Sequence, residues 1–249
     1  MNIIEQTWEK RNLDIKSFEF LIDRSDTVEN CKEALSSPVH QDADYLVVRV
    51  PVGRMDIAYF FQDNGFRFAE LYFHVEFRPQ KLETIQDTPL LNGIYVVECN
   101  EEQLQILYEN IRAGVFKTDR IAMDPYFPQD AGRRRYEGWV RDELSKGTKA
   151  YTLVHNDNNV GFFLLKQESA DVWNGLLAAV YDQFSGMGYG PVMLNEYLYM
   201  AKLSGVKKIV SAVSSNNPDI LNIDLKFGAK IKKMTHVFVR HSKSCQKGC

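Results

Sequence analysis

Apolar and polar residues alternate along "FRFAELYFHVEF" (66–77), a period of two that predicts a long strand with one buried face. Just before it, "ADYLVVRVPV" (43–52) reads as a strand and "RMDIAYFFQDNG" (54–65) as a helix stopped by glycine. A polar stretch with a proline and a glycine, "ETIQDTPLLNG" (83–93), then separates this region from a second patterned series. There "GIYVVEC" predicts a strand, and "NEEQLQILYENIRAG" a helix capped by Asn100 and ended by Gly114. "QDAGRRRYEGWVRDELSKG" follows as a helix and "AYTLVHNDNNVGFFLLKQ" as a hairpin turning at 156–159. The strand "VWNGLLAAVYD", a helix over 190–204, the strand "KKIVSAVS", the helix "NPDILNIDLKFG" and the strand "AKIKKMTHVFVRH" complete the series.

This order predicts an α/β chain with a mixed sheet and helices on both faces. Three segments are expected: an N-terminal α/β domain (1–90), a larger domain (91–242) and a flexible tail (243–249). The stretches 64–78 and 227–240 echo one another, each a glycine-ended helix leading into a strand with a His-Val pair. Two readings stand: the N-terminal region is a truncated copy of the second domain's end, or any helix–glycine–strand unit looks this way.

The 249 residues carry a formal net charge of -3, which gives no general pull toward nucleic acid or an anionic membrane. No apolar run reaches the length of a membrane span, and the first residues lack a secretory pattern, so the cytoplasm is the expected compartment. Four scattered cysteines predict reduced thiols, and five scattered histidines make no ligand set, so no metal is expected.

Chemistry concentrates in "YDQFSGMGYGPVML" (181–194). Gly186, Gly188 and Gly190 sit between a strand and a helix, where free N–H groups and the helix dipole favour a diphosphate. A tight turn needing left-handed angles is the alternative. The spacing is neither that of a dinucleotide fingerprint nor that of a P-loop.

From about 93 to 241 the chain resembles the GNAT superfamily of N-acetyltransferases, on "SGMGYGPVML" for the signature Gln/Arg-x-x-Gly-x-Gly/Ala and on "NPDILNIDLKFGA" downstream. The resemblance implies a GNAT-type twisted mixed sheet, with the N-terminal region as a GNAT-like half, and acetyl-CoA as cofactor. It implies that Ser185, Gly186, Met187, Gly188, Tyr189 and Gly190 cradle the pyrophosphate and Asn217 meets the pantetheine arm. It further implies that the backbones of Ala179 and Val180 bind the arm, while those of Leu177 and Ala178 polarise the thioester. Ser185 replaces the usual Gln or Arg, and Asp224 stands where a tyrosine acid is usual. Ile220, Ile223 and Phe227 flank Asp224, an apolar setting in which a carboxyl stays protonated and donates to sulfur, or serves as base or structural residue.

The loop 117–144 narrows the resemblance to bacterial dTDP-fucosamine acetyltransferases, through Arg120, Asp124-Pro125, Phe127, Arg135-Tyr136 and Trp139. That implies a nucleotide-linked amino sugar as the acceptor amine, with Arg120, Asp124, Tyr126, Phe127, Arg135 and Tyr136 around it. An equal reading makes the aromatics core anchors and the arginines a solvated face. A peptide or other amine as acceptor, a silent acyl-CoA-binding protein and a homodimer remain open.

Overall fold

The computed structural model describes residues 1–82 and 92–242, so the expected segment break and the tail 243–249 lie outside the described residues in whole or large part. In chain order the elements are β1 (Asn2–Glu5), α1 (Thr7–Leu13), β2 (Ser17–Leu21), α2 (Val28–Ser36), α3 (Pro38–Gln41), β3 (Tyr45–Pro51), α4 (Met55–Asp63) and β4 (Arg67–Phe77). Then come β5 (Ile94–Glu98), α5 (Glu101–Ala113), α6 (Arg120–Met123), α7 (Ala131–Ser145), β6 (Lys149–His155), β7 (Asn158–Gln167) and β8 (Val172–Val180). The last are α8 (Tyr189–Leu203), β9 (Lys208–Ser214), α9 (Pro218–Lys226) and β10 (Lys230–His241). Every element predicted from β3 onward is present. The five ahead of β3, and the short α6, are ones that the pattern reading does not assign.

Local chemistry explains the boundaries. Asn100 and Gln103 form a reciprocal capping box at the start of α5, and Gly114 ends it in the left-handed region. Asn156 and Asp157 both take positive φ in the β6–β7 turn, a conformation that short polar side chains tolerate.

All ten strands join one sheet in the order β1-β2-β3-β10-β4-β9-β8-β7-β6-β5. Along β7, Phe162 and Leu164 pack with Leu107, Ile111 and Val140 of α5 and α7. Their neighbours Phe163 and Leu165 pack with Val192, Met193 and Tyr197 of α8 on the opposite face. The N-terminal half repeats this layering. Phe18, Phe20, Val48 and Phe238 lie against α2 and α4, whereas Tyr45, Val47 and Val237 lie against Leu13 and Ile121. Helices therefore cover both faces throughout.

The two echo segments occupy equivalent places. β3–α4–β4 and β9–α9–β10 have the same order, and each ends in a strand seated beside the other's first strand. β10 pairs antiparallel with β3, and β4 pairs antiparallel with both β9 and β10. β2 runs parallel to β3, as β8 does to β9. The strand of 67–77 thus lies deep inside the sheet, next to β9, and this carries N-terminal side chains to the site described next. Among the described residues no helix is long and apolar enough to cross a membrane.

Candidate functional site

β8 is hydrogen-bonded to β7 along nearly its whole length, with a register shift between Leu164 and Leu165 that leaves Leu176 as the extra residue. Its pairing with β9 is much shorter, running only from Val172↔Lys208 to Gly175↔Ser211. Past that point β9 follows β4, with Ala212, Val213 and Ser214 opposite His74, Phe73 and Tyr72. The two strands diverge and a V opens between Leu176–Val180 and 212–214. Burial records the gap. β7 has six consecutive buried residues, Val160 to Leu165, whereas no residue of β8 is buried although the strand is interior to the sheet. Since N–H groups alternate sides along a strand, part of the backbone of Leu177, Ala178, Ala179 and Val180 faces the V with no strand to bond.

The glycine loop stands at the open end of this V. Ser185, Gly186, Met187 and Gly188 are exposed, and Gly186 and Gly188 both have positive φ (77° and 86°). The turn reading of the glycines holds here, because Gly186 and Gly188 take left-handed angles, and those angles leave the loop open. A Cβ on Gly186 would meet nothing within 4 Å. Gly188 is the N-terminal flank of α8 and offers no side-chain cap, so the first-turn N–H groups of the helix are free to take an anion. Tyr189 is buried, and its hydroxyl meets His155 Nδ1 at 2.6 Å, a contact that anchors the loop and has no sequence signal.

A cavity of about 1020 Å³ passes through the V and is lined from both faces of the sheet. On the helix α8–α9 side stand Gly190, Met193, Tyr197, Asn217, Ile223 and Asp224. Asn217 caps α9, its Oδ1 accepting the Ile220 N–H at 3.4 Å, and so does what the plain structural reading asks while facing the cavity. Asp224 is 6% exposed, and burial pushes its carboxyl up to about 7. Proton exchange near neutrality is therefore within its reach. Leu177 and Ala178 of β8 also line the cavity.

The opposite side is built largely by the N-terminal half and by α7. Trp8, Glu19, Arg49, Glu70 and Tyr72 face Arg120, Arg135, Tyr136 and Trp139. Arg120, Arg135 and Tyr136, three of the residues expected around the acceptor, line this side of the cavity. Asp124, Tyr126 and Phe127 are not among the lining residues. Asp124 meets His241 Nε2 at 2.8 Å, the Tyr126 hydroxyl accepts from Arg67 at 2.8 Å, and Phe127 packs edge-on against Tyr45. That segment is spent on core packing, because the sheet presents Tyr45 and His241 there and the loop's aromatics cover them.

The arginines differ from their expected role in a second way. Each of the four that line the cavity already faces a carboxylate: Arg11 with Asp142, Arg49 with Glu19 at 2.5 Å, Arg120 with Glu70 at 3.6 Å, and Arg135 with Glu9 at 2.9 Å and Asp119 at 3.4 Å. Burial raises the Asp119 carboxyl, but Arg135 and Arg120 outweigh it and hold the group below its ordinary value. Arg135 also lies over the Trp8 ring at 4.6 Å. Arg135→Ala would leave the fully buried Glu9 and the largely buried Asp119 without this cation. We expect a loss of about 3–5 kcal/mol in denaturant unfolding, larger than for a solvated arginine. Among the described residues no group of three or more His, Cys, Asp or Glu could hold a metal ion.

The fold is shared with GCN5-related N-acetyltransferases. The chain is similar to one from Sphaerobacter thermophilus at a TM-score of 0.68 and 12% identity, covering 96% of this chain and 75% of that one. A tandem GNAT protein from the clavulanic acid biosynthesis pathway matches at 0.57 and 11%, covering 91% and 75%. The glucosamine N-acetyltransferase region of a fungal multi-domain β-N-acetylglucosaminidase matches at 0.60 and 13%, covering 85% of this chain and 27% of that one. No protein-family model matches the chain, and no curated protein does either.

Proposed function

We propose that the protein is an acetyl-CoA-dependent N-acetyltransferase acting on a small primary amine. The observation that carries this reading is the V between β8 and β9, which leads from an open, uncapped glycine loop to a buried carboxyl. The residues fit the cofactor. Gly186, Gly188, Tyr189 and Gly190 would receive the diphosphate, and the free backbone of Leu177–Val180 would take the amide groups of the arm. When bound, acetyl-CoA supplies an activated acyl group.

The chain's own contribution is placement and charge. Leu177 and Ala178 line the cavity, and whichever of their N–H groups turns away from β7 would bond an acyl oxygen as it gains negative charge. The amine enters from the Glu70–Trp139 side in its neutral form, and amines need orientation more than covalent help. Asp224, protonated up to about pH 7, gives its proton to the departing sulfur, and the proton shed by the attacking nitrogen passes to solvent, from which Asp224 is reprotonated.

For the acceptor we carry forward a nucleotide-linked amino sugar, which the 120–139 resemblance supports, with Tyr136, Trp139 and Phe116 as the aromatic wall. Each lining arginine already faces a carboxylate, so the diphosphate of such an acceptor would have to displace one of these pairs or be held by other groups. A silent acyl-CoA-binding protein is the second reading, favoured by Asp224 in the usual tyrosine's place. The test is thiol release from acetyl-CoA with nucleotide amino sugars, free amino sugars, amino acids and polyamines. Turnover with one class supports transfer. Calorimetric binding of acetyl-CoA with no turnover selects the silent reading, and no binding removes both.

A further inference from the structure

The closed end of the V is reached by a tyrosine whose ring packs in the core against Phe163 and whose hydroxyl has no partner among the described residues. Where β8 and β9 last pair, Ser211 Oγ donates to the Gly175 carbonyl at 2.9 Å and fixes the floor. Tyr197, from the third turn of α8, points its hydroxyl at this floor, so closely that a Cβ at position 175 would collide with it. Glycine is what lets the tyrosine reach so far. Tyr197 is 8% exposed and lines the cavity, and its hydroxyl is buried with no hydrogen-bond partner among the described residues. A buried hydroxyl without a partner is a cost to the fold, and this one lies against the β8–β9 floor while its residue lines the cavity. Burial, reinforced by the neighbouring Asp224, pushes the phenol well above its ordinary range, so it is neutral at any working pH and acts by shape.

The length of the V says what meets this hydroxyl. From Val180, beside the glycine loop, to Gly175 is a rise of about 17 Å at the usual strand spacing. This is the scale of an extended pantetheine arm. A diphosphate at Gly186–Gly190 would therefore bring the thioester to the Gly175–Leu177 end, and the acyl group would extend toward Tyr197.

We propose that Tyr197 is the acyl-selecting residue, closing the V so that an acetyl or propionyl group fits and a longer chain meets the phenol. The inference rests on the coenzyme A reading above and adds the residue that sets donor length. Each further methylene must displace the ring or remain in the amine's path, and a tight pocket discriminates such additions.

The test is calorimetric and needs no acceptor: free CoA, acetyl-CoA, butyryl-CoA and hexanoyl-CoA are titrated into the wild type and into Tyr197→Phe, Tyr197→Leu and Tyr197→Ala. The wild type is expected to bind hexanoyl-CoA at least about 10-fold more weakly than acetyl-CoA. Tyr197→Phe keeps the ring and retains that order. Tyr197→Ala, or Tyr197→Leu if the alanine variant does not fold, is expected to bring hexanoyl-CoA to within about threefold of acetyl-CoA, with free CoA unchanged. A wild type indifferent to chain length, or a folded variant that keeps the wild-type order, overturns the proposal while leaving CoA binding intact. Failure of the wild type to bind free CoA overturns the underlying reading, and this inference with it.

Discussion

Gly190→Glu is expected to weaken acetyl-CoA binding by at least about 100-fold, roughly 2.7 kcal/mol, while leaving the fold as stable as before or slightly more so. The two effects separate because of where the residue sits. Gly190 is the second residue of α8 and does not share the positive φ of Gly186 and Gly188. A Cβ there meets only Ile223 Cδ1, at 3.5 Å, an ordinary contact. The backbone accepts a side chain, and a carboxylate in a first helical turn gains about 0.3–1 kcal/mol from the helix dipole. That same carboxylate would stand among the N–H groups that the diphosphate needs, with like charge. Calorimetry and thermal unfolding on one preparation read both signs. Acetyl-CoA binding retained in the variant would remove the glycine loop as the diphosphate site.

Asp224→Asn is expected to lower kcat by about 10²–10³ with little change in the KM for acetyl-CoA, since it removes a proton donor and not a binding surface. The pH dependence follows from the carboxyl that burial holds up to about 7. If the protonated form is the active one, wild-type kcat falls as pH rises through that value, and the asparagine variant lacks that limb. Stability gives a second readout with its own sign. In the unfolded chain this group ionises near its ordinary 3.8, while in the folded protein it keeps its proton to about 7. Between those values the unfolded state releases the proton and the folded state does not, so the wild type loses stability as pH rises across the window. A carboxamide at this position has no such penalty, so Asp224→Asn should gain on the wild type across that window and hold its lead above it. Thermal unfolding at about pH 4, 6 and 8 checks this. A constant difference across the series would mean that the carboxyl is ionised in the folded protein, and the acid role would fall.

Much of the site's helix α8–α9 side was legible in the sequence. The alternating glycines at 186–190, the strand before them and Pro191 after them specify a strand-to-helix turn within one short stretch of chain. Asp224 shows in its setting because residues 220, 223 and 227 surround it at helical spacing. The acceptor side was legible only in part, since Arg120, Arg135 and Tyr136 line the cavity and three of their expected neighbours do not. Asp124, Tyr126 and Phe127 read as ligand contacts because they cluster in one loop, but Tyr45, Arg67 and His241, which absorb them, lie far away in the chain. Arg120 and Arg135 read as free cations because Glu70 and Glu9 come from other elements. Tyr197 stands in the sequence with Tyr181 and Tyr189 as a tyrosine that could assist loss of the thiolate, but nothing local chooses among the three, and an aromatic at helical spacing is what any core helix shows.

The sequence by itself determined the elements from β3 to β10 apart from the short α6, the capped ends of α5 and α9, and the open loop before α8. Each of these is set by period, cap chemistry or backbone freedom within a few consecutive residues. The tertiary structure alone decided that β4 enters between β9 and β10, where along β8 and β9 the pairing stops, and which carboxylate each buried arginine faces. Those outcomes depend on which surfaces bury one another between elements far apart in the chain. Local patterns prepare such contacts and cannot choose among them.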